Sequence, residues 1–349
     1  MGLAFPIEFS AERIIVKKIA IVGAGSWGTA LSIALSRSRA QHGISIWAHE
    51  TEVVESMRAR RVNDVFLPDF ELPAGIVPTG NLAEAVAGAD IVLGVMPSTH
   101  ARQLYSRIAK NAPGGTAFVS ATKGLEPETL LRMSEVIRQV VPGESAPRIA
   151  ALSGPSFARE VARGDPTAIV IASEDMLLAS EIQEEFSGPT LRLYSNSDVA
   201  GVELGGAVKN VIAIAAGVTE GLGFGHNTLA ALITRGLAEM SRLAIALGGR
   251  PETMAGLAGM GDLVLTCTGA LSRNRGVGVE LGRGRKLDDI VGSTRMVAEG
   301  VSTTAVTRTL ARQLGIEMPI TEQMHAVLYE GRSPRDAIRE LMERRLKGE

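Results

Sequence analysis

Lys209 has the most chemically unusual surroundings of any charged residue in this 349-residue chain. It lies in GVELGGAVKNVIAIAAGV, residues 201–218, and on a helix its neighbours three and four positions away are Gly205, Gly206, Ile212 and Ala213. That face is small and apolar. An isolated ammonium buried there is costly, and the usual response is a lowered pKa. Such a lysine can serve as a general acid or base near neutral pH. The other reading is a lysine that snorkels from a core helix to solvent, and helical geometry does not choose between them. A second cluster follows, Gly259-Met260-Gly261-Asp262 and then Ser272-Arg273-Asn274-Arg275. Asp262 is either a helix N-cap ahead of LVLTC or a carboxylate facing a substrate. Ser272, Arg273 and Asn274 concentrate donors that suit a phosphate ester, although the same run would also make a basic surface turn.

Two further segments, Ser120-Ala121-Thr122-Lys123-Gly124 and Ser153-Gly154-Pro155-Ser156-Phe157-Ala158, each follow a β-branched run. They therefore fall at the carboxyl edge of a sheet, where open α/β folds bind ligands. Near the N-terminus KKIAIV runs into Gly23-Ala24-Gly25-Ser26-Trp27-Gly28 and then into the helical TALSIALS. Glycines at these places allow a tight turn, a backbone approach to pyrophosphate, and close helix–strand packing. The helix N-terminus adds free N–H groups and partial positive charge. The segment therefore predicts dinucleotide binding. The second strand ends in Trp47-Ala48-His49-Glu50. An acid there favours NAD and a basic group NADP; with both present the preference stays open.

These segments must be positioned by regular elements. Strands are expected at 18–22, 44–47, 76–79, 91–96, 117–121, 149–153, 168–172 and 191–194, separated by helical stretches such as 99–110 and 127–140. Apolar strands alternating with helices indicate a parallel sheet covered on both faces. From residue 199 onward the pattern is helix after helix, including 202–218, 228–247, 302–314 and 334–347. The expected architecture is α/β: a Rossmann-type doubly wound sheet over residues 17–198, then an all-α domain over 199–349. Residues 1–16 form an N-terminal extension, and Ser195-Asn196-Ser197-Asp198 supplies the boundary turn.

A chain of this length exceeds the roughly 250–300 residues at which one core stops growing, so two domains are expected. A net charge of −2 argues against a nucleic-acid binder. One cysteine, Cys267, excludes an intrachain disulfide and fits a reducing compartment. Five histidines without ligand spacing give no metal site. The N-terminus does not read as a secretory signal, and the most apolar internal run, 208–218, is too short to span a bilayer. A cytoplasmic protein without stable membrane insertion is expected.

Taken together, GAGSWGTALS, SATKGLE, LSGPSFARE, GVELGGAVKNVIAIAAGV, GFGHNTLAALITRGLAEM, GLAGMGDLVLTC and SRNRGVGVELGRG resemble bacterial NAD(P)-dependent glycerol-3-phosphate dehydrogenases. The resemblance extends from about Lys18 to about Leu341. It implies that Lys209 is the catalytic proton donor and acceptor. It implies substrate contacts from Lys123, Gly154, Ser156, Lys209, Asp262, Ser272, Arg273 and Asn274. Besides the fingerprint glycines Gly23, Gly25 and Gly28, it places Ser26, Trp27, His49, Lys123, Ala158, Arg273, Val297 and Glu299 along an NAD(P)H cofactor. It also implies reduction of dihydroxyacetone phosphate for phospholipid synthesis, and a homodimer. His226 stands where the family often has Asp, with no loss of activity expected. Two rival readings are a related dehydrogenase of another hydroxy acid and a catalytically silent nucleotide sensor; joint retention of Lys209, Lys123 and Asp262 argues against the sensor.

Overall fold

The computed structural model describes residues 16–141, 147–293 and 295–343. The expected extension therefore lies, Val16 apart, outside the described residues, as does the end of the helix expected at 334–347. Ten strands are present: β1 (Lys18–Val22), β2 (Gly43–Trp47), β3 (Val62–Asn63), β4 (Leu67–Glu71), β5 (Ile76–Thr79), β6 (Ile91–Gly94), β7 (Ala117–Ser120), β8 (Arg148–Ser153), β9 (Thr167–Ala172) and β10 (Leu191–Asn196). Eight form one sheet in the order β10-β9-β8-β7-β6-β1-β2-β5, and β3 pairs with β4 separately. β1 sits inside the sheet, parallel to β2 and β6, and its residues Ile19–Val22 are fully buried. Two apolar clusters cover the two faces, one with the fingerprint helix Ser26–Leu35 and one with helix Ala101–Ala109. The chain thus has the expected architecture, a helix-covered sheet followed by helices alone among the described residues.

Two expectations need correction, and one pair of strands is additional to those expected. The sheet is mixed: β8 and β9 are antiparallel, with Ser153 opposite Val170 and Ala151 opposite Ala172. Their connection carries only the short helix Ala158–Arg163 and stays at the edge where β8 ends, so β9 has to run back. An apolar run does not encode strand direction. The β3–β4 hairpin was not foreseen because it is short and carries Pro68, Asp69 and Glu71. The helix expected at 127–140 starts only at Met133. Ahead of it Leu130 adopts φ +62° and Glu126 is held by Arg102, while Glu135 accepts a hydrogen bond from the Arg132 N–H to begin the helix.

The later part is built around helix Val199–Gly221, nearly every residue of which is buried. It is the one described helix long and apolar enough to cross a membrane, but 94% of its apolar window is packed inside the protein. Helix Arg273–Gly282 crosses it at backbone contact. A Cβ on Gly278 would stand 2.0 Å from the Ile214 carbonyl oxygen, and one on Gly217 would stand 2.0 Å from that of Arg275. Glycine at both places lets the segment carrying Ser272, Arg273 and Asn274 approach the helix that carries Lys209.

Candidate active site

The strand ends and the central helix meet at the carboxyl edge of β7 and β8. Lys123 follows β7; Gly154 and Ser156 follow β8. Gly154 has φ +134°, a conformation that favours glycine, and its carbonyl turns toward Lys123. The Lys123 ammonium donates to the Gly154 carbonyl at 2.8 Å, to Ser156 Oγ at 3.2 Å and to Asp262 Oδ2 at 2.8 Å. Lys209 comes in from the central helix and donates to Asp262 Oδ1 and, at 2.9 Å, to Thr266 Oγ1. One carboxylate thus lies between two ammonium groups. Lys209 is 4% exposed and Asp262 1%, so Lys209 does not snorkel to solvent. Asp262 is not the N-cap of its helix either; Gly261 holds that position and the carboxylate is engaged by the lysines.

Burial sets the electrostatics. Desolvation is the largest influence on Lys209 and lowers its pKa to about 7; Lys123 adds to the lowering and Asp262 partly opposes it. Burial pushes the Asp262 carboxyl upward, but the Lys123 and Lys209 ammonium groups together outweigh it and hold the pKa below the usual value. The site therefore keeps an ionised carboxylate beside an ammonium that can exchange its proton near neutrality. Such an arrangement can protonate, or stabilise negative charge on, an oxygen brought against it.

The glycine turn after β1 is built from backbone. Gly23 has φ +118°, and a Cβ there would lie 2.6 Å from the Val95 carbonyl oxygen. A Cβ on Gly28 would fall 1.8 Å from the Gly23 carbonyl oxygen, so the helix–strand approach requires glycine. A Cβ on Gly25, by contrast, would meet nothing within 4 Å, and the helix that Gly25 caps has no side-chain cap. An open helix N-terminus in a glycine turn fits the pyrophosphate of a dinucleotide. The hairpin braces this loop: Ser26 Oγ donates to the Phe66 carbonyl at 2.8 Å, and Asn63 Nδ2 to that of Ala24 at 2.7 Å. Trp27 Nε1 is buried without a partner among the described residues. His49 lies exposed past the end of β2.

The remaining expected residues divide between the two ends. Ser272 caps helix Arg273–Gly282 through a hydrogen bond its Oγ accepts from the Arg275 N–H at 3.2 Å. Asn274 is buried, donating to Asn210 Oδ1 at 2.8 Å and accepting from the Gly300 N–H at 2.9 Å. The run is therefore not merely a surface turn. Arg273 is exposed, with no hydrogen bond or ion pair to a described residue; desolvation by the protein around it lowers its pKa, and the Glu299 carboxylate opposes that. Glu299 accepts from the Ser98 N–H at 3.1 Å and Oγ at 2.7 Å, just beyond β6. Val297 is 48% exposed near it in the chain, and Ala158 opens the helix after β8. Sequence reasoning did not single out Thr266, Asn210 or Ser98. Thr266 stands four residues after Asp262 on one helix face, a signal that was available; Asn210 sits beside Lys209. Asn210 Nδ2 donates to the Lys123 carbonyl at 3.2 Å. Nothing in the sequence marks Ser98.

Comparison with known proteins agrees with this geometry. Residues 18–179 match the N-terminal part, and residues 198–339 the C-terminal part, of the NAD-dependent glycerol-3-phosphate dehydrogenase family. A protein of Koribacter versatilis named glycerol-3-phosphate dehydrogenase [NAD(P)+] is 60% identical over 330 residues, 94% of this chain and 98% of its own. A Geobacter protein of the same name is 53% identical over 95% of this chain and 99% of its own. The crystal structure of glycerol-3-phosphate dehydrogenase from Coxiella burnetii superposes with a TM-score of 0.90 at 40% identity, covering 94% of this chain and 99% of that one. A ketopantoate reductase from Ralstonia eutropha, at 18% identity and a TM-score of 0.57, shares the fold alone. With both parts of the family matched in order and the paired lysines brought onto one buried carboxylate, the chain belongs to the NAD-dependent glycerol-3-phosphate dehydrogenase family.

Proposed function

We propose that this chain is an NAD(P)-dependent oxidoreductase that reduces dihydroxyacetone phosphate to sn-glycerol 3-phosphate, reversibly, with Lys209 as the catalytic acid. The observation that carries the reading is the Asp262 carboxylate lying between Lys209 and Lys123 at the carboxyl edge of the sheet. The fingerprint residues Gly23 to Gly28, with His49, Ala158, Val297 and Glu299, would hold the nicotinamide cofactor. When bound, the reduced cofactor supplies the hydride for the carbonyl carbon. The chain's own residues do the rest. Lys209 gives its proton to the carbonyl oxygen, and the Lys123 ammonium stabilises the negative charge that develops there. Asp262 keeps both ammonium groups oriented. Ser156 and the Gly154 backbone fix Lys123, while Ser272, Arg273 and Asn274 form the phosphate end of the substrate site. Unpaired and exposed, Arg273 is free to take an anion.

Support for the substrate comes from the names of the relatives and from this donor set. A cytoplasmic homodimer supplying glycerol 3-phosphate for phospholipid synthesis belongs to the same reading. The test is the fall in absorbance at 340 nm with dihydroxyacetone phosphate, run in parallel with NADH and NADPH. Substrate-dependent oxidation is expected, and the ratio of the rates reports which cofactor the His49–Glu50 end prefers. Protein that binds the cofactor yet oxidises neither would remove the substrate assignment.

A further inference from the structure

The segment before Asp262, Leu257–Gly261, is wound wider than an α-helix. The Gly261 N–H donates to the Gly256 carbonyl at 3.0 Å, five residues back, as in a π-turn. This turn lies against the central helix at Gly205, one helical turn before Lys209. A Cβ built on Gly205 would lie 2.5 Å from the Ala258 carbonyl oxygen and 3.4 Å from Gly259 Cα. Both are backbone atoms, which no rotamer change can move aside. Gly206, the next residue, faces the end of β8: its Cβ would stand 2.4 Å from Ser153 Oγ and 3.6 Å from Lys123 Cγ. The Gly205–Gly206 pair thus receives the π-turn on one side and the Lys123 strand end on the other.

We propose that Gly205 is a positioning residue for the reaction: its backbone contact with Ala258 sets the π-turn at the depth where Asp262 lies between Lys209 and Lys123. The inference rests on the proposed role of Lys209, but its first readout does not require turnover. An alanine at 205 obliges the turn and the helix to separate by about half an ångström at the least. The separation draws the carboxylate away from Lys209, whose other neighbours are the Lys123 ammonium, Thr266 Oγ1 and the Cys267 thiol. Asp262 is the one group holding the Lys209 proton on against burial and Lys123. Weakening that contact therefore makes Lys209 titrate lower. A merely structural glycine would cost stability without moving that titration.

The experiment follows the Lys209 side-chain resonance against pH in full-length, lysine-labelled Gly205→Ala, together with kcat for dihydroxyacetone phosphate and the Kd of NADH. The expected result is a midpoint about one pH unit lower, kcat reduced about 10–100-fold, as misplacement by an ångström does, and an unchanged Kd. Gly221→Ala is the comparison: Gly221 lies on the same helix as Gly205, about four turns further along, and its Cβ would stand 2.3 Å from the Val279 carbonyl oxygen of helix Arg273–Gly282, so the Lys209 midpoint should stay in place. Should Gly205→Ala fail to fold, Ala258→Gly loosens the same turn without a clash and should lower the midpoint by a smaller amount. A wild-type midpoint in the folded variant, or an equal shift in Gly221→Ala, overturns the proposal. A shifted midpoint in protein that never reduces dihydroxyacetone phosphate would instead overturn the substrate assignment and leave this positioning role standing.

Discussion

In the glycine turn after β1, Gly23 and Gly28 are held by backbone packed against backbone, and their fit to the strand and to each other is steric. At the carboxyl edge of β7 and β8, Lys123, Asp262 and Lys209 come from three distant segments, and their fit is electrostatic, with two cations sharing one buried anion. The first arrangement tolerates no Cβ at Gly23 or Gly28. The second tolerates no loss of a charge, because a buried ion without its partner is costly, and it depends on how closely the elements carrying the charges are seated. Each end should therefore fail in its own way.

The largest effect is expected at the electrostatic end. Lys209→Ala should lower kcat by roughly 10²–10⁴-fold, the range for a general acid, while NADH still binds; near wild-type turnover would remove Lys209 from the mechanism. With Lys209 as the proposed acid, reduction in the wild type needs its protonated form, and burial brings its pKa down to about 7. Its proton is in place below that pH and lost above it, so kcat for reduction should fall as pH rises through about 7, and oxidation should show the opposite trend. A flat profile over pH 6–9 would contradict the assignment.

At the steric end, Gly28→Ala should weaken NADH binding about 10–100-fold, from the roughly 1–3 kcal/mol that overpacking costs. Fluorescence titration reads this directly, and a lysine of normal reactivity in the same variant would show that the two ends fail separately. Arg273→Ala should chiefly raise KM for dihydroxyacetone phosphate, roughly tenfold, the low end for hydrogen bonds to charged groups at an exposed side chain. An unchanged KM would move the phosphate site elsewhere.

The smallest effect lies outside both regions. Glu239 is 1% exposed and accepts from the Ile320 N–H at 2.6 Å and the Thr321 N–H at 3.2 Å. Burial nevertheless raises its pKa to about 7. Because the folded value exceeds the ordinary one of 4.5, the folded state holds the proton more tightly. Stability from this group is full below the ordinary value and declines as pH rises through about 7. Glu239→Gln should remove that decline and raise Tm at pH 8 by roughly 2–4 °C, what about 1 kcal/mol does in a domain of this size. A parallel loss of Tm at all pH values would show that the capping hydrogen bonds outweigh the charge.

Much of this was legible in the residues. Strand, glycine turn and helix at 18–35 are contiguous, so their geometry is local and the sequence pattern suffices to read it. The small face around Lys209 was equally visible, although its two readings, acid or snorkelling surface lysine, stood level on helical geometry. Only the tertiary packing that brings Asp262, Thr266 and Lys123 around it buried the ammonium. The direction of β9 was not legible, because an apolar run is identical whichever way it runs. Nor was the brace given to the glycine loop by β3 and β4, whose strands are too short and polar to stand out.

What the sequence by itself determined is the set of elements and the local chemistry each can offer: a phosphate-binding turn, a lysine on a small face, a carboxylate after glycines, a cluster of donors. These depend on side-chain type and on spacing within one element. Tertiary structure alone decided that Asp262 lies between Lys123 and Lys209, that Asn274 reaches Asn210 and the Gly300 N–H, and that Glu299 takes the N–H and hydroxyl of Ser98. The reason is physical. A shift of half an ångström between two elements changes no residue's local preference, yet it changes the interaction of buried charges strongly, since so little solvent remains to screen them.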